Sequence, residues 1–259
     1  MRLKKESHYL LELLAAVGME VVEGVFTLPL LYKATGCSSD IGFFRRVKSL
    51  ENSGLIEHPR SRQDGRWIFQ LTEAGRSVVT DEIQPESCWN DPWNGKWQIL
   101  AFDLPRESSR ERKALRKWLR RLRFGRLQGS LWITPRDIGS WQEQLEKIHV
   151  DSTSVVLFEG RFLASGERND HVRRAWDFSL INRNYQSYMD FISHNSPQKR
   201  SIKLFADWFQ EEILLWNAAF RLDPFLPKAV WPPEFKADYL GPKALGMRRA
   251  AYRDWRMHL

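Results

Sequence analysis

Residues 97–135 constrain the fold of this chain most, because they read as a strand, a basic amphipathic helix and two paired strands in close succession. Trp-Gln-Ile-Leu-Ala-Phe-Asp-Leu-Pro opens with strand-forming residues and stops at Pro105. Ser108 or Ser109 can cap the helix that follows, with Glu107 and Glu111 near its positive end. Leu115, Trp118, Leu119 and Leu122 recur at i, i+3, i+4 and i+7, which predicts one narrow buried face. The remaining surface is almost wholly cationic: Arg110, Arg112, Lys113, Arg116, Lys117, Arg120, Arg121 and Arg123. Phe-Gly-Arg-Leu-Gln-Gly-Ser-Leu-Trp-Ile-Thr-Pro then gives two short strands around a glycine-containing turn. A helix over 140–148 and a strand over 154–158 complete a β-α-β-β-α-β order, the split ferredoxin-like arrangement. Such a domain offers its sheet face or edge for pairing with a copy of itself.

Gly-Lys-Trp-Gln-Ile-Leu-Ala-Phe-Asp-Leu-Pro, the Arg-rich helix, and Phe-Gly-Arg-Leu-Gln-Gly-Ser-Leu-Trp-Ile-Thr-Pro together resemble the central domain of PaaX-like regulators, the phenylacetic-acid catabolon repressor family. The resemblance implies a ferredoxin-like centre similar to the small subunit of the CRISPR spacer-integration complex. Looser matches at both ends extend it over most of the chain.

Before the central stretch, residues 7–18 have helical spacing through Leu10, Leu13, Leu14 and Val17. An apolar segment over 21–26 leads to Thr27, which can cap a helix over 28–34, with Pro29 in its first turn. Ser38 or Ser39, with Asp40, caps a third helix that runs to Asn52 and stops at Ser53-Gly54. Its inward face is Phe43, Val47 and Leu50; its outward face includes Gly42, Arg45, Lys48, Ser49 and Asn52. Residues 55–58 and 67–71 read as a hairpin, with Asp64-Gly65 as a turn signal and Arg60, Arg62 and Arg66 between the strands. Thr-Glu-Ala-Gly-Arg at 72–76 starts one more helix. Three helices, a two-stranded wing and a helix is the order of a winged helix-turn-helix, and the run through 48–56 and 69–76 resembles bacterial winged-helix regulators. In that arrangement the third helix enters the major groove and the wing reaches phosphate or minor groove. The candidate DNA-binding residues are therefore Ser38, Ser39, Gly42, Arg45, Arg46, Lys48 and Ser49 on the helix, and Arg60, Arg62 and Arg66 on the wing.

Charge qualifies this assignment. The chain carries a formal +8, which suits a polyanionic partner. Residues 1–85 hold 11 basic and 11 acidic groups, 86–180 hold 17 and 13, and 181–259 hold 12 and 8. A DNA-binding face in the first segment must be a local patch. Cys37 and Cys88 have no metal or redox spacing, which fits a reducing cytoplasm. No apolar run approaches the ~18 residues that a membrane span needs.

Residues 85–92 read as a linker bounded by prolines. The pattern over 170–192 is helical, Ser196-Pro197 breaks it, and a long helix covers 200–220. Asp-Pro-Phe-Leu-Pro at 223–227, followed by a proline and aromatic residues, resembles the C-terminal domain of the same family. Pro242 then sits at the start of a terminal helix.

Signatures of catalysis are sparse. No nucleophile elbow, Walker loop, dinucleotide glycine pattern or paired-histidine metal motif occurs. Asp103 ends the first strand of the central domain, where an aspartate in the related CRISPR family has been associated with metal-dependent nuclease chemistry. Only Glu107 lies near it in sequence, and that residue fits a helix start.

The expected architecture is α+β: a winged helix-turn-helix over 1–85, a ferredoxin-like pairing domain over 93–168, and a helical effector and dimerisation domain over 169–259. The expected protein is a cytoplasmic, homodimeric transcriptional repressor, not an enzyme, that binds double-stranded DNA at an inverted-repeat operator and needs no metal or cofactor. The resemblance implies release by an acyl-CoA effector, an aryl-CoA such as phenylacetyl-CoA. The concentrated charge of the basic helix is either a solvated face or a holder of phosphates, of DNA or of such an effector, with Arg116, Arg120 and Arg123 as the candidate effector contacts. Two rivals use the same residues differently: a metal-dependent nuclease or CRISPR-linked protein, and an interaction protein whose winged helix binds protein.

Overall fold

The computed structural model describes residues 5–17, 28–57, 60–61, 67–80, 85–105, 107–162, 170–195 and 202–256. The chain gathers into two compact units. The first joins Met1–Gln84 to Asn184–Ala218 and Pro242–Leu259; the second joins Pro85–Arg183 to Ala219–Gly241. The helical stretch 169–259, read above as one domain, is thus distributed over both.

The first unit opens with α1 (Lys5–Val17), α2 (Leu28–Thr35) and α3 (Asp40–Asn52), then the short antiparallel strands β1 (Arg60–Ser61) and β2 (Trp67–Ile68), then α4 (Glu73–Thr80). The hairpin is thinner than its sequence suggests. Arg60 pairs with Ile68 and Ser61 with Trp67, while Ile56 and Leu71 form an isolated bridge. The expected turn at 64–65 and the segment over 21–27 lie outside the described residues. Thr72 ties the hairpin to α4, because its hydroxyl donates to the Gly54 carbonyl at 2.6 Å and accepts the Gly75 N–H at 3.0 Å. A Cβ on Gly75 would stand 1.9 Å from the Leu55 carbonyl oxygen, so only glycine fits this turn.

The second unit contains α5 (Pro85–Trp89), β3 (Trp97–Phe102), α6 (Ser109–Arg121), β4 (Gly125–Gln128), β5 (Leu131–Thr134), α7 (Trp141–Lys147), β6 (Val155–Gly160) and α8 (Asp170–Ala175). The expected linker over 85–92 therefore holds a helical turn instead, and it forms because Pro85 and Trp89 are buried. The four strands make one antiparallel sheet in the order β4-β5-β3-β6, with Leu100 opposite both Trp132 and Leu157. α6 buries Leu115, Trp118 and Leu119, as the periodicity predicts, against Leu100, Phe102, Phe124, Trp132 and Val155. Leu122 closes the helix as its C-cap. Gly125 has no room for a side chain, because its Cβ would come within 2.5 Å of the Trp176 ring.

The helical pattern over 170–192 is two helices, α8 and α9 (Phe178–His194), and not one. Asp177 causes the break: its carboxylate accepts the Leu180 N–H at 2.8 Å and starts α9 anew. α10 (Ile202–Phe220), α11 (Pro233–Asp238) and α12 (Gly241–Arg256) follow. Within the first unit one core unites Leu10, Leu14, Phe43, Val47, Phe69 and Leu71 with Phe191, Phe205, Phe209, Ile213 and Tyr252. No helix among the described residues is long and apolar enough to cross a membrane.

Candidate functional site

The local sequence of α3 fixes how it presents its residues. Ser39 is its N-cap, with extended backbone and a hydroxyl that accepts the Gly42 N–H at 3.2 Å. Asp40 adds negative charge to the first turn, where the helix dipole favours it. Phe43, Val47 and Leu50 are buried, and Phe43 stands between the Tyr32 and Phe69 rings at 5.0 and 5.9 Å. The opposite side carries a stripe of Ile41, Arg45, Lys48 and Asn52, all exposed. Ser38, Ser39 and Ser49 are exposed beside it, and Gly42 and Arg46 are half-buried. Lys48 holds Glu51 at 3.0 Å. Ile41 is 73% exposed. Sequence reasoning missed it, although its place outside the Phe43, Val47, Leu50 period was the available signal. Of the wing arginines, Arg60 lies in β1, while Arg62 and Arg66 lie outside the described residues.

The basic face of α6 divides in two. Arg110, Lys113, Lys117, Arg120 and Arg121 are exposed, whereas Arg112 turns back to donate to the Leu104 carbonyl at 3.1 Å and to that of Pro105. Arg123, expected on the solvated cationic surface, is 5% exposed. It lies past the helix end with φ +64°, and its guanidinium donates to the Phe220 carbonyl at 2.7 Å over the rings of Phe220 and Phe225. Leaving the helix turns the side chain inward, which a helical wheel cannot show.

Arg123 and Arg120 both line a cavity of about 280 Å³. Arg116 does not line it, while Arg126, Arg221, Trp132 and Trp176 do. Arg120 covers the Trp132 ring at 6.0 Å, and Arg126 donates to the Gly129 carbonyl at 2.9 Å. No local pattern marks Arg126 and Arg221 as neighbours, because they stand 95 positions apart in the chain.

A second buried constellation explains the Asp-Pro-Phe-Leu-Pro run. Asp223 is buried, its carboxylate accepting the Phe225 N–H at 2.8 Å and the Tyr239 hydroxyl, which in turn accepts Trp89 Nε1–H at 3.1 Å. Phe225 has φ +48°, and the carbonyls of Pro224 and Phe225 accept from Arg136 at 2.9 and 3.2 Å. Burial lowers the Arg136 pKa, and nearby Cys88, Asp223 and Asp91 oppose that shift. Burial likewise pushes the Cys88 thiol up. These groups pin a turn.

Asp103 is exposed, and its backbone N–H donates to Ser154 at 3.0 Å. Among the described residues, no group of three or more His, Cys, Asp or Glu could hold a metal ion.

Comparison with known proteins adds the family. Residues 90–172 match the model of the PaaX protein central Cas2-like domain. This stretch is similar to a PaaX central domain. PaaX proteins are transcriptional regulators of phenylacetic-acid catabolism and not enzymes. A solved structure titled "Uncharacterized protein Rv0674 from Mycobacterium tuberculosis" is similar over 96% of this chain and 95% of its own, with a TM-score of 0.58 and 18% identity. That likeness speaks for the fold alone. No curated protein matches the chain.

Proposed function

We propose that the chain is a sequence-specific DNA-binding transcriptional regulator, a cytoplasmic repressor of a catabolic operon that an acyl-CoA effector releases from its operator. The observation that carries this reading is the stripe Ile41, Arg45, Lys48 and Asn52. It lies on a capped helix whose other side is anchored in a core, directly before a two-stranded hairpin. Those are the parts of a winged helix-turn-helix, in which exposed residues at the start of the recognition helix face base edges. Arg45 supplies donors for guanine, Ile41 an apolar contact for a thymine methyl, and Lys48 a phosphate contact. The β-α-β-β-α-β order with strands β4-β5-β3-β6 supports the ferredoxin-like reading of the centre.

Half-sites selected from a random duplex library and titrated by fluorescence anisotropy test the reading. Arg45→Ala should weaken binding to the selected sequence by about 1–3 kcal/mol and relax preference at one position. Lys48→Ala should weaken all sequences alike and lower the salt slope by about one. Wild-type affinity in the Arg45→Ala protein sinks the proposal.

The regulator acts as a homodimer on an inverted repeat, since one winged helix reads too few base pairs for useful specificity. β6 ends the sheet, and its Val156 and Phe158 are 59% and 47% exposed on one face, which suits pairing with a second copy. Sedimentation of the full chain at about ten micromolar should give twice the monomer mass; a monomer there removes the dimer, because useful operator occupancy needs it well below that concentration.

A further inference from the structure

The cavity of the second unit joins two chemistries. Its walls are apolar and aromatic, with Trp132, Trp176 and Phe124 among them. Four arginines, Arg120, Arg123, Arg126 and Arg221, also line it, against the single carboxylate of Asp177. That carboxylate is engaged with the Leu180 N–H at the start of α9. Arg123 is engaged as well, with the Phe220 carbonyl. Arg120 and Arg126 are exposed; Arg120 rests on an indole and Arg126 donates one N–H to a carbonyl, so each has further N–H donors to offer.

An independent observation sits in the wall. Trp132 is 2% exposed, yet its indole N–H is buried with no hydrogen-bond partner among the described residues. A buried unpaired donor costs about 1–3 kcal/mol. A ligand oxygen that accepted this N–H would remove the cost, whereas an apolar filler would not.

We infer that this cavity is a binding site for a small amphipathic anion: one carboxylate or phosphate on a flat apolar body. The anion lies against Arg120 and Arg126 within reach of the Trp132 N–H, and the flat body lies against the aromatic wall. Planar guanidinium groups match both oxyanions, and aromatic faces hold flat rings without demanding one ring. At about 280 Å³ the cavity falls below the usual range for a drug-sized ligand. It therefore takes a small free acid or one end of a larger molecule, and not a whole acyl-CoA. The inference rests on the effector half of the proposed function and names the site and the chemistry for it. Two sources share that chemistry, a free aryl carboxylate and the phosphorylated nucleoside end of a carrier thioester.

Calorimetric titration of the full chain without DNA separates this site from the operator reading. The probes are 2-naphthoate, adenosine 3′,5′-bisphosphate and inorganic phosphate. We expect one of the first two to bind one per chain, at least about tenfold more tightly than inorganic phosphate, and which one binds identifies the source. The double substitution Arg120→Gln, Arg126→Gln should weaken it at least about tenfold, and both positions are exposed, so the fold should survive. Trp132→Phe should weaken it while leaving an aromatic wall, with unchanged circular dichroism as the control. Binding of neither organic probe overturns the site. So does binding no tighter than phosphate, or binding untouched by the arginine substitutions. A ligand that binds as expected but leaves operator affinity unchanged keeps the site and removes it as the switch, because linkage requires the two affinities to move together.

Discussion

Replacing Glu212 with alanine should cost about 3–5 kcal/mol of folding stability, the penalty for breaking a buried ion pair from one side. Glu212 is 0% exposed on α10. Its carboxylate accepts the Tyr188 hydroxyl at 2.9 Å, the Tyr252 hydroxyl at 2.6 Å and Arg248 Nε–H at 2.8 Å. The Arg248 guanidinium also lies 4.7 Å from the Trp216 ring centre and 5.4 Å from that of Tyr252. Without the carboxylate, a guanidinium and two hydroxyls stay buried without their acceptor. Thermal unfolding should drop by roughly 6–20 °C, at roughly 2–4 °C per kcal/mol for a chain of this size. The pair Glu212→Leu, Arg248→Met should lie closer to wild type than either single change, because it removes both charges together. A single substitution that melts within about 2 °C of wild type contradicts the buried network.

The same network sets an alkaline limit. Burial, then the Glu212 charge, raise the pKa of Tyr188 and of Tyr252 above the ordinary value of 10.0. A raised folded pKa means that the stability is fully present below the unfolded value and is lost as pH rises past it. The contribution should therefore be flat from neutral pH to about 9 and decline above about 10. The Glu212→Ala protein should lose the part of that decline that the Glu212 charge causes and keep the part that burial causes.

Phe43→Ala should cost a similar amount, about 3–5 kcal/mol, by opening a cavity under α3. Phe43 is 0% exposed, and its ring meets those of Tyr32, Phe44 and Phe69. The informative comparison is with Arg45→Ala, two positions along on the exposed side. That change should shift stability by no more than about 0.5 kcal/mol while weakening DNA binding. Urea denaturation and operator titration of both proteins check this division. Loss of less than about 1 kcal/mol in Phe43→Ala means that α3 is not held by its buried face.

Much of this arrangement was readable from local pattern. The alternation and caps of 97–135 predicted the strands and the helix of the sheet domain, and Leu115, Trp118 and Leu119 went where their spacing placed them. The departures have local causes too. Asp177 divided one helical pattern by taking an N–H for its carboxylate, and Arg123 turned inward because it sits beyond the last helical residue at φ +64°. What no window of sequence could show is association across distance. Arg126 and Arg221 share a cavity, and Glu212 gathers hydroxyls from two other helices, through side chains whose local context is ordinary. For the candidate DNA-binding face, helix α3 was legible from its capping serines and apolar period. The outward Ile41 was not among the residues read from that period, although it falls outside the buried set.

The discontinuous first unit also bears on how the chain is made. Its core needs Leu10, Leu14 and Phe43 from the start of the chain and Phe205, Phe209 and Tyr252 from near the end. Translation at about 5–20 residues per second leaves roughly 8–32 s between the emergence of Phe43 and that of Phe205. During that interval the apolar faces of α1 and α3 have no permanent cover, while the intervening sheet domain can already close on local contacts. The nascent chain therefore carries a sheet core that can close early and an unfinished beginning. Arrest of synthesis before α12 leaves an N-terminal segment exposed to chaperones and proteases, so the core of the first unit closes only with the last helix.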